Sequence, residues 1–177
     1  MLLVLRFVGV MNAAVWLGAA VFFTFGAGPA FFSTEMKALL EKNYPYYSGG
    51  VAQIVIARYF HWQLACSLIA LGHLVAEWLY LGKNPNKFTA SLLGVILCLG
   101  LLGGFWVQPK LKRFHLVKYS PASTAEQRQL AISSFKDWHG TSQGMNLFVL
   151  LGITIYCWRT ANPSDPTRTL VAAKFKG

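Results

Sequence analysis

Charge is what this sequence has little of. Acidic residues number six in 177, and charged residues of both signs make up 12%, against about a quarter in an average soluble domain. Half the usual charge, with 55% apolar residues and a mean hydropathy of +0.44, excludes an ordinary water-facing surface and points to lipid. Cysteine is also scarce. Cys66, Cys98 and Cys157 stand far apart in apolar runs, which excludes a disulfide framework and a short-spaced metal framework and leaves them as small apolar filler. No phosphate loop, nucleophile elbow or zinc-protease helix occurs, so catalysis is the minority reading.

What the sequence has instead is length without charge. Residues 7–34, 59–76, 88–109 and 140–158 carry no Asp, Glu, Lys or Arg. A hydrocarbon core of about 30 Å needs roughly 20 helical residues, so four such runs predict four spans. Backbone groups in lipid must be paired internally, which leaves helices or a closed barrel. "LLGVILCLGLLGGFWV" does not alternate as a barrel strand would. The first run is longer and more aromatic than a secretion signal, and is read as a retained helix. The net charge of +10 lies in loops and tail, where anionic lipid headgroups account for it without nucleic acid.

The expected fold is all-α: an integral membrane, antiparallel four-helix bundle with an interfacial amphipathic helix before the last span. The spans are placed at about 3–25, 52–81, 88–107 and 140–159, in one domain over 1–161, with an irregular tail over 162–177. "GAGPAFF" breaks the first span, a loop follows from about 32 to 50, "GKNPNK" is a tight turn, and Pro109 stops the third span. Ser123 with Glu126 reads as a capping box that opens the interfacial helix over 123–138, carried by Leu130, Ala131, Phe135 and Trp138. Trp78, Tyr80, Trp106, Trp138, Tyr156 and Trp158 mark membrane interfaces. Gly100 and Gly104, and Gly140 and Gly144, form small-residue pairs for close helix approach. Seven basic residues on the face of the termini against eight on the other leave the orientation open.

"FKDWHGTSQGMNL" carries polar groups into the fourth span. His139, Ser142 (or Gln143) and Asn146 fall on one helical stripe, and polar groups in hydrocarbon turn inward and pair. Arg58 and His61 are expected to meet them from span two, and Asn12 of span one completes a candidate intramembrane polar pocket. Arg58 has the alternative of snorkelling to headgroups. His73 and Glu77, four residues apart, form a secondary polar pair too small for a metal site. No cofactor is expected. Haem b held by His61 and His139 is the remote alternative.

The first span, "MNAAVWLGAAVFFTFGAGPAFF", and the "WHGTSQGMNL" opening of the fourth resemble the transmembrane protein 205-like family over residues 2–158. The matching positions are Trp16, Gly18, Pro29, His139, Ser142 and Asn146. The resemblance implies a four-span protein of the bacterial plasma membrane and supplies no reaction. Three functional classes follow: a small transporter or permeability protein with a polar intramembrane pocket, a non-catalytic accessory subunit, and a haem or redox protein. The expected partners are the lipid bilayer and another membrane protein or a second copy of the chain. Both termini are expected on the same side.

Overall fold

A computed structural model describes residues 2–82 and 86–162. Among these, every regular element is helical. Helix α1 is Leu2–Val21, continued through a π-helical stretch, Phe22–Ala27, into Gly28–Ala30. Helix α2 is Thr34–Leu40, followed by a 3-10 turn, Glu41–Asn43. Helix α3 is Tyr44–Leu81. Helix α4 is Lys87–Leu102, continued through a second π-helical stretch, Gly103–Val107, into Gln108–Tyr119. Helix α5 is Ala125–Ala161. The stretches Leu3–Ala30, Thr34–Tyr80 and Lys87–Tyr119 are each long and apolar enough to cross a membrane. Helix α5 falls outside that set, because Ser142, Gln143 and Asn146 dilute its apolar half.

Several sequence expectations change here. The region expected as a loop over 32–50 is mostly helix: Ser33 caps α2, its Oγ accepting from Met36 N at 3.2 Å, and α3 starts at Tyr44 with Pro45 in its first turn, where a missing N–H costs nothing. Pro109 does not stop the third helix. The π-helical turn just before it widens the helix, so that Gln108 N–H reaches back five residues to Gly103 O. That arrangement relieves the clash a proline ring makes with the carbonyl one turn earlier. Pro29 repeats the device, with Gly28 N–H bonded to Phe23 O. The interfacial helix and the fourth span are one continuous helix, α5. Its capping box is shifted by one residue from Ser123 and Glu126: Thr124 Oγ1 accepts from Gln127 N at 3.2 Å, and Gln127 Oε1 accepts from Thr124 N at 3.0 Å. Residues 83–85 of the "GKNPNK" turn and the tail from 163 onward lie outside the described residues.

The four long helices close a ring. Helix α1 packs on α3 and α5, and α4 packs on α3 and α5. The shared core takes Ala13, Trp16 and Ala20 from α1, Tyr59, Cys66 and Ala70 from α3, Leu93 and Ile96 from α4, and Val149, Ile153 and Tyr156 from α5. Trp16 and Tyr156 meet edge to face at 6.2 Å, and the alanines around them leave room for two such large rings. Small residues also set the α3–α4 approach. A Cβ on Gly103 would stand 2.5 Å from Phe60, and one on Gly100 2.9 Å from the Gln63 amide. Gly140 and Gly144 face open space instead, so only the first of the two glycine pairs serves packing. The outer surface is apolar: Leu3, Phe7, Phe22, Phe25, Leu68, Val95, Phe105, Phe148 and Leu151 are all exposed, a patch far beyond what a water-soluble monomer leaves uncovered.

At the end where α1 stops, α3, α4 and α5 continue. His115 of α4 is buried there, bonded through Nε2 to Tyr46 O at 3.1 Å and tilted against Phe135 at 6.5 Å. Trp106 and Trp138 meet edge to face at 5.3 Å, and Lys110 Nζ lies 4.1 Å from both rings. This clamp joins α4 to α5 at the root of the extension.

Candidate functional site

The π-helical stretch in α1 turns Thr24 toward α5. Thr24 Oγ1 donates to Ala20 O at 2.7 Å and accepts from Asn146 Nδ2 at 2.8 Å. Asn146 Oδ1 in turn accepts from Tyr59 OH at 3.4 Å. Tyr59 is buried and stacks flat on Phe23, ring centroids 4.1 Å apart. One amide thus ties α1, α3 and α5 together at a single level. The network holds an amide, a hydroxyl and a phenol, each already engaged. It offers no general base and no nucleophile poised by one.

Asn12 and His73 are engaged in the same manner further along. Asn12 Nδ2 donates to Cys66 O at 3.0 Å. His73 is buried, and its Nε2 donates to Leu5 O at 2.8 Å; a carbonyl can only accept, which assigns the ring proton to Nε2. His73 is therefore committed to α1 rather than to Glu77, which is half-buried.

Arg58 and His61 do not meet the α5 stripe. Both are exposed, and His61 Nδ1 turns back to Ala57 O of its own helix at 2.7 Å. The reason is depth. Tyr59 is level with Asn146, so His139, seven residues or about 10 Å further along α5, lies well past Arg58 and His61. His139 is half-buried and lies parallel to Phe135 at 5.7 Å. The same offset separates His61 from His139 as a haem pair. Ser142 is half-buried and Gln143 is exposed. Among the described residues, no three of His, Cys, Asp and Glu gather into a metal site.

The sequence reading missed Thr24 and Tyr59, the two partners of Asn146. Their signal was present in "FFTFGAGP", where a hydroxyl stands five residues before a proline. It also missed Gln53, Gln63, Trp16 and Tyr156, each with a buried polar atom that finds no partner among the described residues. At the extended end, Tyr46, Leu116, Tyr119, Ser120 and Pro121 line an open groove of about 560 Å³.

A family model described as a domain of unknown function, DUF4149, matches residues 11–120. The match takes in Trp16, Gly18 and Pro29 and stops before His139, Ser142 and Asn146. No curated protein and no solved structure matches the chain.

Proposed function

The chain belongs to the DUF4149 family, a domain of unknown function, and from that premise we propose that it is an integral membrane protein of four antiparallel spans, both termini on one side, acting as a non-catalytic accessory subunit of a larger membrane complex. The observation that supports this reading is how the intramembrane polar side chains are used. Asn12, His73 and Asn146 each hold one helix to another, and Arg58 and His61 lie on the outer surface. Polar groups used as fasteners suit a rigid bundle; a permeation path would keep them facing water. The exposed apolar rings and side chains give a partner subunit or lipid a wide surface to cover.

The test is substituted-cysteine accessibility in a background with Cys66, Cys98 and Cys157 replaced by Ala. Asn146→Cys and Ser142→Cys are expected to resist a membrane-impermeant thiol reagent, while Arg58→Cys reacts. Ready labelling at 142 and 146 would overturn the reading in favour of a water-filled path. Tags at the two ends test the span count: they are expected to be accessible from the same side.

A transporter with a polar pocket is the second reading. One observation favours it: Thr24 sits in a π-helical turn, a feature found often at functional sites. The transmembrane protein 205-like resemblance belongs to the same level of proposal, since its "WHGTSQGMNL" half lies outside the matched residues.

A further inference from the structure

The helices that continue past α1 carry their cations at one level. Phe60 packs against Gly103 and Gly104, so Arg58, two residues further out on α3, is level with Trp106. Trp106 touches Trp138, and Lys136 is two residues further out on α5. Lys112 and Arg113 follow Trp106 by six and seven residues, about 9–10 Å of helix rise. Arg58, Lys112, Arg113 and Lys136 are all exposed, and each of the three helices supplies at least one. Acidic neighbours are few: Asp137 adjoins Lys136, and Glu126 lies ten residues further out on α5.

Tryptophans settle where hydrocarbon gives way to headgroups. The headgroup layer is about 5–8 Å thick on each side, from a core of about 30 Å within about 40–45 Å overall. With Trp106 and Trp138 at that boundary, the four cations stand in the headgroup layer, their long side chains free to reach phosphates. Lys110 is held between the two indoles and anchors the level without joining the ring of free cations.

We propose that Arg58, Lys112, Arg113 and Lys136 form a collar that binds the phosphates of anionic phospholipid headgroups. The proposal rests on the membrane reading above. It also sets an orientation that counting basic residues left open: the extended ends of α3, α4 and α5 emerge from the more anionic leaflet, which in a plasma membrane is the cytoplasmic one.

The experiment uses the full chain in bilayer discs of phosphatidylglycerol and phosphatidylcholine with matched acyl chains, followed by native mass spectrometry of the lipids that stay bound. Phosphatidylglycerol is expected to be retained at least about fivefold over phosphatidylcholine, the ratio corresponding to roughly one fully engaged cation. Arg58→Gln, Lys112→Gln, Arg113→Gln and Lys136→Gln together are expected to bring the ratio to one. Lys42→Gln, remote from the collar, is expected to leave it unchanged. Equal retention by the unaltered chain, or preference surviving the fourfold substitution, overturns the proposal. Displacement of the bound lipid by inorganic phosphate overturns it too, by identifying a site for free anions. Failure to insert into phosphatidylcholine alone would sink the membrane reading itself, whereas insertion without preference sinks only the collar.

Discussion

Asn146 of α5 and Thr24 of α1 are joined by an amide-to-hydroxyl hydrogen bond of 2.8 Å, across 122 residues of chain. Asn146→Leu removes that bond and leaves Tyr59 OH and Thr24 to seek other partners. The expected loss is about 0.6 kcal/mol and at most roughly 1.7 kcal/mol, the range for hydrogen bonds between membrane helices. Denaturant unfolding in mixed micelles would measure it. A loss of several kcal/mol would mean that the amide does more than join helices.

Two glycines of α1 separate packing from propensity. A Cβ on Gly9 would stand 2.6 Å from the His73 ring, which its bond to Leu5 O holds in place. Gly9→Ala is expected to destabilise by about 1–3 kcal/mol through overpacking. Gly18 has nothing within 4 Å of such a Cβ, and Gly18→Ala is expected to be neutral or to stabilise by up to about 1 kcal/mol through helix propensity. Thermal melts of both variants decide the matter, and equal effects would refute this packing of α1 on α3.

The start of α5 gives a test at single-residue resolution. Thr124→Ala removes the capping hydroxyl and is expected to cost about 1 kcal/mol, with faster amide exchange over the first turn of α5. Ser123→Ala, one residue earlier, is expected to leave exchange there unchanged. The reverse pattern would restore the sequence-based register.

Lys110 lies over two indoles at once. Lys110→Met is expected to lower stability by about 0.5–2 kcal/mol, the span of cation–π contributions from exposed to desolvated sites. Lys110→Arg is expected to retain most of it, since a guanidinium also sits well on an aromatic face. A shift in tryptophan emission in the methionine variant alone would report opening of the clamp.

The membrane character and the all-helical class were legible because lipid imposes strong composition rules. Uncharged runs of the needed length leave few alternatives. Asn12 was correctly expected to bond to another helix, since an amide in that setting has few options. Depth was not legible. The sequence assigned Arg58 and His61 to the level of His139 by assuming that the second helix begins near residue 52, whereas it begins at Tyr44 and runs for 38 residues. Nothing in composition distinguishes the membrane-embedded part of such a helix from its continuation. Pro109 misled for a different reason. A proline ends a helix only if the preceding turn is α-helical, and the turn before this one is π-helical.

Those two π-helical turns bear on how relatives of this chain should be aligned. Each accommodates one residue more than an α-helical turn would, so removing one residue there restores ordinary winding and rotates everything beyond it by about 100°. A one-residue gap opposite Phe22–Ala27 or Gly103–Val107 is therefore a mild local change, taken up within one turn. The same gap opposite Ala13–Ala20 or Leu93–Ile96 would swing buried side chains of the core toward the outside and disrupt the packing between helices.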